Sequence, residues 1–328
     1  MDINMILEKM SITRLNIQLT KKCNQRCCSC NSYELWEDNE LTLEDIKRVI
    51  KEACGMWKIN NIALTGGEPT IRSDILEIAR TASRYSPNVS ITTNGYFFAN
   101  KDKALEMVRG GVNRYSFSYH GIGKHDKFTN TNGAEERIRK AISWISEEKK
   151  KNVDGNLYAK IGILFDGENI DDVEKMLDYA ESKDMDLYIE IVDKSIALFN
   201  KSKLAQKMKN NNSNKEIIYD ALEKIRLWMK TGRRIIMTEK GVEYIERYYM
   251  GQTVKGGCPL GLTDIYIESN GDVKTGCWIL PPVGNVKTES LYNIQDNVQN
   301  KINIQRMLKG ECPCCTCGYL MQAKYMDI

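Results

Sequence analysis

Four cysteines stand within eight positions of the segment CNQRCCSC, residues 23–30. Cys23, Cys27 and Cys30 have the spacing C-x₃-C-x₂-C, and Cys28 is the fourth thiol. Three thiolates cannot close a four-cysteine site, but they can hold a 4Fe–4S cluster that leaves one iron without a protein ligand. Catalytic metal sites keep such an open position, whereas structural sites are closed. The spacing therefore predicts an open cluster. A structural zinc or cluster site that uses Cys28 as fourth ligand is the alternative.

The remaining cysteines concentrate near the other end of the chain. The 328 residues include eleven cysteines, an odd number, and two histidines, His120 and His125, both remote from the cysteines in sequence. A disulfide framework belongs to small secreted domains, so metal or cluster binding is the better interpretation. Two thiol sites are expected, and the scarcity of histidine disfavours a mixed Cys/His zinc site. The cysteines after residue 257 are Cys258, Cys277, Cys312, Cys314, Cys315 and Cys317.

Composition excludes several classes of protein. Hydrophobic residues make up 42% and charged residues 28%, as in ordinary globular proteins, and the length suggests about two domains. The formal charge of +3 gives no reason to expect a nucleic-acid or anionic-membrane partner. No apolar run approaches the roughly 20 residues of a membrane span. The N-terminus lacks the features of a signal peptide, so a cytoplasmic protein is expected.

Strand-like and helix-like segments alternate through the first two thirds of the chain. RLNIQLT (14–20) is the first of six such strands, and Thr42 with Asp45 indicates the capped start of the first helix. Six β/α repeats predict an α/β fold with a parallel sheet, either a full barrel, an open barrel or a doubly wound sheet. The loops CNQRCCSC, GGEP, TNG and SYHG follow the first four strands. All four are expected on one rim, where such folds place their chemistry.

The pattern changes beyond residue 200. A Lys/Asn-rich stretch is followed by the amphipathic segment IIYDALEKIRLWMKTG. After residue 236, two short alternating runs flank Asn270-Gly271, which predicts a β-hairpin, and one or two helices follow. The chain is therefore expected to contain a first domain at 1–235 and a second at 236–328.

The C-x₃-C-x₂-C loop after the first strand, with GGEP (66–69) after the second, resembles the radical S-adenosylmethionine (SAM) superfamily over most of the chain. The resemblance implies a partial (β/α)₆ TIM barrel. It assigns a 4Fe–4S cluster to Cys23, Cys27 and Cys30, with SAM bound to the open iron. The residues that match the family's SAM-contacting positions are Gly66, Gly67, Glu68 and Pro69 for the methionine amino group, and Thr93, Asn94 and Ser118 for the ribose and carboxylate.

Two positions depart from the family's pattern. Ser29 replaces the aromatic residue that many members have before the third cysteine, and His120 stands where related members have an acid. The second departure makes His120 a candidate acid–base or binding group on the substrate side, against the alternative of a histidine hydrogen-bonded within its loop. His125 is expected at the surface or in a turn.

The C-terminal cysteines resemble SPASM and Twitch auxiliary-cluster domains. The matching features are Cys258, the hairpin that leads to Cys277, the segment VGNVKTESL and the segment CPCCTC. This resemblance implies one auxiliary 4Fe–4S cluster in a small domain made of a β-hairpin and a helix. Cys258 and Cys277 are two expected ligands, and a C-x₂-C pair supplies the others. That pair is Cys312 with Cys315, or alternatively Cys314 with Cys317, and a structural zinc is the other possibility.

The resemblance to the superfamily implies that SAM is cleaved to methionine and a 5′-deoxyadenosyl radical, which takes a hydrogen from the substrate. The first expectation for that substrate is a ribosomally made peptide or protein, to be crosslinked, epimerised or oxidised. The alternative is a small molecule, either a sugar-like alcohol or a nucleotide. A non-catalytic iron–sulfur or zinc redox sensor is a third hypothesis. The expected partners are a flavodoxin or ferredoxin as low-potential electron donor and, for a peptide substrate, a separate peptide-recognition protein.

The choice of three thiols is testable by serine substitution. Cys28→Ser should leave the iron content near that of the wild type, because this thiol is not expected to bind the cluster. Cys27→Ser should abolish SAM cleavage, measured as 5′-deoxyadenosine formed with a reductant. An equal loss of iron and of SAM cleavage in both variants would mean that the three ligands are chosen wrongly.

Overall fold

The computed structural model describes residues 11–152, 154–191, 215–252 and 257–311. The strands are β1 (Arg14–Thr20), β2 (Asn61–Gly66), β3 (Asn88–Thr93), β4 (Arg114–Ser118), β5 (Tyr158–Phe165), β6 (Asp186–Ile191), β7 (Ile235–Ile236), β8 (Asp264–Ile267), β9 (Asp272–Thr275) and β10 (Gly284–Asn285). The helices are α1 (Leu43–Met56), α2 (Ile75–Tyr85), α3 (Lys101–Arg109), α4 (His125–Thr129), α5 (Ala134–Lys151), α6 (Ile170–Ser182), α7 (Lys215–Lys230), α8 (Glu239–Tyr249), α9 (Leu260–Thr263), α10 (Leu291–Asp296) and α11 (Val298–Leu308).

The first six strands form a parallel sheet in chain order, with helices in the crossovers between them. This arrangement confirms the predicted α/β fold and partial barrel. Within the described residues the sheet runs from β10 through β1–β6 to β7 without joining its two edges. Outward-facing side chains of the strands pack under the helices in one apolar core, while alternate side chains face the interior of the barrel.

Helix α1 shows how local sequence builds the outer layer. The Thr42 side chain accepts a hydrogen bond from the Asp45 N–H, and the Asp45 carboxylate accepts one from the Thr42 N–H, which together form a capping box. The helix buries Ile46, Val49 and Ala53 at helical spacing against the sheet. The capped start predicted from Thr42 and Asp45 is confirmed.

The C-terminal hairpin continues the barrel sheet. Strand β8 pairs in parallel with β1, from Arg14 opposite Asp264 to Ile17 opposite Ile267, and β9 returns antiparallel through the predicted Asn270-Gly271 turn. The side-chain amide of Asn16 donates to Asp264 Oδ1 at 3.1 Å across this junction. The hairpin therefore shares a sheet with the barrel, and the predicted boundary at residue 235 stays a prediction.

Two smaller features complete the fold. Strand β7, which the sequence pattern does not predict, pairs in parallel with β6 at the far edge. The segment after the hairpin forms two helices, α10 and α11. Among the helices that the structure describes, none has the length and apolar character needed to cross a bilayer.

Candidate functional site

The cysteine loop leaves the carboxyl end of β1 and is fixed by a neighbouring short helix. The Arg26 N–H donates to the Thr129 carbonyl at 3.0 Å, and the Cys28 N–H donates to the Phe128 carbonyl at 2.8 Å. Both acceptors belong to α4. Within the loop, the Cys30 N–H donates to the Cys27 carbonyl at 3.2 Å. The loop is thus held by backbone bonds, which leaves its cysteine side chains available for another role.

The loop lines two neighbouring cavities at the rim of the barrel. The inner cavity, of about 180 Å³, is lined by Cys23, Cys27 and Cys30. The outer cavity, of about 1130 Å³, is lined by Cys28 as well as by Cys27 and Cys30. Cys28 is absent from the lining of the inner cavity. The thiols that the spacing selects therefore share one space, and the fourth faces a different one.

These thiols suit a cluster better than a single metal ion. The Gln25 N–H donates to Cys23 Sγ at 3.4 Å and the Ser32 N–H to Cys30 Sγ at 3.4 Å, and such donors stabilise thiolates. Across the described ranges, no three His, Cys, Asp or Glu side chains converge closely enough to hold one ion. In a cubane cluster each cysteine binds a different iron, so three separated thiols are appropriate.

Burial sets the protonation of the cysteine thiols. It raises the pKa of the Cys23 thiol to about 11 and also raises the pKa values of Cys27 and Cys30. Without a metal these groups keep their protons at neutral pH. Cluster binding therefore requires that iron replace those protons, which is the usual coupling between metal binding and thiol ionisation. The residues present fit a 4Fe–4S cluster.

Gly66 and Gly67, at the end of β2, allow the backbone of the GGEP loop to pass very close to the backbone that leads into the cysteine loop. The Gly67 N–H donates to the Thr20 carbonyl at 2.7 Å, and the Glu68 N–H donates to the Lys22 carbonyl at 2.9 Å. A Cβ atom on Gly67 would lie 2.2 Å from the Lys22 carbonyl oxygen. Only glycine fits there, because a side chain would push away the backbone that leads into Cys23.

Glu68 is fully buried and bonded on several sides. Its carboxylate accepts hydrogen bonds from the Thr93 hydroxyl at 2.9 Å, the Asn94 N–H at 2.7 Å, and the N–H and hydroxyl of Thr70 at 3.2 and 2.5 Å. Burial raises the pKa of Glu68, and these donors oppose that rise. In this structure Glu68 joins strand ends, so the predicted contact with an amino group stays a prediction.

The other predicted SAM-contacting residues surround the inner cavity to different degrees. Asn94 Nδ2 donates to Asn24 Oδ1 at 2.7 Å, so its side chain braces the cysteine loop. Glu68 and Pro69 are buried and do not line the cavity. Their roles toward SAM stay predictions. The predicted residues that do line the inner cavity are Gly66, Gly67, Thr93, Asn94, Ser118 and His120.

His120 lies where the two cavities meet and lines both. Its Nδ1 accepts a hydrogen bond from the Leu164 N–H at 3.3 Å, and its ring centroid is 4.3 Å from that of Phe128. Burial lowers the pKa of His120 to about 3, so the imidazole is neutral. With Nδ1 accepting, the ring proton is assigned to Nε2, and His120 is suited to donate a hydrogen bond.

His125 is not at the surface, so that expectation is wrong. Its side chain is fully buried, and its Nδ1 accepts a hydrogen bond from the His120 N–H at 3.2 Å. Burial lowers the pKa of His125 to about 4, which keeps it neutral. This hydrogen bond from the His120 N–H fixes the backbone of His120. The sequence carries no signal for this, because the contact depends on how α4 folds back onto the end of β4.

The predicted auxiliary-cluster cysteines are partly described. Cys258 and Cys277 lie in one small apolar cluster with Leu260, Leu280 and Met307. The Cys258 N–H donates to the Met307 carbonyl of α11 at 2.8 Å. The structure thus brings together the first two predicted ligands. The other candidates lie outside the described residues: Cys312, Cys314, Cys315 and Cys317.

Sequence reasoning missed one ionisable residue of the inner cavity, Glu190 on β6. The signal was present in the strand DLYIEI, where Leu187, Ile189 and Ile191 alternate with more polar residues. A carboxylate on the alternate face of a barrel strand must point into the barrel.

One comparison with known proteins identifies the superfamily, and a second supports the fold. A family model described as the Radical SAM superfamily matches residues 17–180, which include the cysteine loop and β2–β5. The solved structure of SuiB from Streptococcus suis bound to S-adenosylmethionine has a TM-score of 0.67 at 14% identity, and the match covers 90% of this chain and 68% of that chain. At this identity the likeness shows the fold alone.

Curated relatives have names that include the nucleotide GTP. A protein of Thermococcus kodakarensis named Probable GTP 3′,8-cyclase is 36% identical over 145 residues, which are 42% of this chain and 46% of the relative. Another of that name, from Thermoplasma volcanium, is 30% identical over 269 residues, 80% of this chain and 79% of the relative. The chain spans about half the length of the first of these. These names contradict the expected peptide or protein substrate, and that expectation is wrong.

Gly67→Ala tests the close approach behind the cysteine loop. The added methyl group should displace the Lys22 backbone, lower the unfolding free energy by about 1–3 kcal/mol and reduce the iron bound after reconstitution. Gly55→Ala is the matched control, since a Cβ there meets nothing within 4 Å in helix α1. Urea unfolding and iron analysis measure the two effects. Equal iron content in the two variants would contradict the proposed packing.

Proposed function

Because this chain belongs to the radical SAM superfamily, we propose that it is a radical SAM enzyme whose substrate is a nucleotide, with GTP as the first candidate. One observation carries the proposal. The relative from Thermoplasma volcanium, named Probable GTP 3′,8-cyclase, is similar over 80% of this chain, well beyond the cysteine loop that all superfamily members share. Similarity of that extent includes the walls of the barrel, which contact a substrate.

The cluster would be held by Cys23, Cys27 and Cys30. When bound, it supplies the electron that cleaves SAM to a radical able to take hydrogen from the substrate. The protein's own part is to hold the reactants and exclude water. Gly66 and Gly67 line the cavity with backbone that SAM can contact, while Ser118 and the Nε2–H of His120 offer hydrogen-bond donors to the cavity. Burial lowers the pKa of His120, which favours the neutral imidazole and suits it to position an oxygen or nitrogen acceptor.

The outer cavity supports a charged, nucleotide-sized substrate. Its volume of about 1130 Å³ exceeds that of most small-ligand sites, which leaves room for a second molecule beside SAM. Exposed Lys127 and Lys175 line it, and neither has an ion pair within the described part of the chain. Lys124, also in the lining, is paired with Asp172 at 2.6 Å. Five carboxylates also line this cavity, so its wall is not basic overall, and we infer that the phosphates of the nucleotide bind locally at the two unpaired ammonium groups.

We also propose one auxiliary 4Fe–4S cluster, bound by Cys258, Cys277 and the pair Cys312 and Cys315, or Cys314 and Cys317 in its place. The proximity of Cys258 and Cys277 supports this proposal. A cluster with four protein ligands would accept or relay an electron. A flavodoxin or ferredoxin is proposed as the electron donor to the first cluster, and a cytoplasmic location stays a prediction.

The proposal is tested with cluster-reconstituted protein, SAM and dithionite. Each of GTP, ATP, CTP and UTP is added in turn, and 5′-deoxyadenosine and nucleotide products are followed by mass spectrometry. GTP is expected to raise 5′-deoxyadenosine formation at least severalfold and to yield a new nucleotide product. Cys27→Ser is the inactive control. Background 5′-deoxyadenosine with every nucleotide, from protein that holds its iron and cleaves SAM slowly, would contradict the substrate class.

A further inference from the structure

A carboxylate that the sequence motifs do not include faces the inner cavity. Glu190 lies near the carboxyl end of β6, opposite Leu164 of β5 in the strand register. Its neighbours Ile189 and Ile191 are buried under the helices, which directs Glu190 to the interior of the barrel. There it lines the cavity together with the three cysteine thiols, Ser118 and His120. Its side chain is open to solvent where it faces that cavity, while the barrel interior surrounds it on its other sides.

Glu190 has an electrostatic partner but no hydrogen-bonding one in the described part of the chain. Lys160 of β5 attracts it and opposes the rise in its pKa that burial causes. The Lys160 ammonium lies 4.2 Å from the centroid of the Tyr188 ring, on the same interior face. Burial lowers the pKa of Lys160, and Glu190 opposes that change. The two groups therefore favour each other's charged form, and the carboxylate oxygens remain available.

Water in the open cavity can satisfy the carboxylate, and a molecule that displaces this water must supply hydrogen-bond donors in its place, since leaving an ionised carboxylate unsatisfied is costly. Ser118 and His120 line the same cavity but form no hydrogen bond with Glu190 in the described part of the chain, so a bound molecule is a suitable donor. That molecule cannot present phosphate there, because like charges repel in a site of low dielectric. A hydroxyl or amino group of the nucleoside part meets the requirement, with the phosphates directed to Lys127 and Lys175 at the outer cavity.

We propose that Glu190 is a specificity-determining residue that accepts hydrogen bonds from the nucleoside part of the substrate, through a ribose hydroxyl or an amino group of the base. This inference rests on the proposed nucleotide substrate. Lys160 acts as a positioning residue that keeps the carboxylate charged. SAM also carries ribose hydroxyls and an amino group, so the same chemistry has a second source, and the test separates the two.

Equilibrium dialysis of the reconstituted protein, without reductant, gives the affinities for SAM and, with SAM present, for each nucleotide. GTP is compared with inosine triphosphate, which lacks the base amino group, and with 2′-deoxyGTP, which lacks one hydroxyl. The wild type should bind at least one analogue more weakly than GTP. Glu190→Gln should weaken GTP binding roughly 10- to 100-fold and remove that discrimination, with SAM affinity unchanged. Glu190→Asp, which keeps the negative charge, should retain part of the discrimination between GTP and its analogues.

The matched control is Glu243→Gln on the exposed surface of α8, which should bind all ligands as the wild type does. Thermal melting verifies that each variant is folded. If Glu190→Gln is not folded, the binding measurements on Glu190→Asp test the proposal. If the variants keep the wild-type ratios of analogue affinity to GTP affinity, the proposed role of Glu190 is wrong, but the proposed substrate class is not affected. A loss of SAM affinity with GTP affinity retained would assign the carboxylate to SAM and also overturn it. If the wild type binds none of the three nucleotides, the substrate class itself is wrong and the inference falls with it.

Discussion

One buried carboxylate joins the ends of the first three strands, and the arrangement of the site depends on it. The backbone of Glu68 donates to the Lys22 carbonyl at the entry to the cysteine loop, while its side chain accepts from Thr93 and Asn94 at the end of β3. Asn94 in turn donates to Asn24 within the loop. A carboxylate at 0% exposure is tolerated because at least three groups donate to it.

The hydrogen bonds of Glu68 help to explain how the cysteine loop can present three thiols to one cavity. Backbone bonds to α4 hold one side of the loop, and the close approach of Gly67 holds the other. Burial outweighs the nearby Arg26 guanidinium at Cys23, and the thiols keep their protons until iron binds. Cluster assembly therefore completes a site whose geometry the protein fold has already set. The same cavity is lined by Ser118, His120 and Glu190, so the groups proposed to meet SAM and substrate lie beside the thiols.

Much of this was predictable from local sequence, and the rest depends on contacts between distant residues. Periodicity gives the six β/α repeats, Thr42 with Asp45 gives the start of α1, and the C-x₃-C-x₂-C spacing separates Cys28 from the other three thiols. The pairing of β8 with β1 and the burial of His125 arise from tertiary packing, which no local pattern encodes. The substrate was predicted wrongly because the expectation rested on the C-terminal cysteines. No sequence motif includes Glu190, although the alternation in β6 places it among the side chains that line the barrel.

The central claim is that three cysteines leave one iron open for SAM. Electron–nuclear double resonance on the reduced, cluster-reconstituted protein tests it directly, with SAM labelled with ¹⁵N at its methionine amino group. The account predicts a ¹⁵N hyperfine coupling to the cluster, because the amino group binds the iron that has no cysteine. A cluster spectrum that SAM leaves unchanged, without ¹⁵N coupling, would show a closed site and contradict the account.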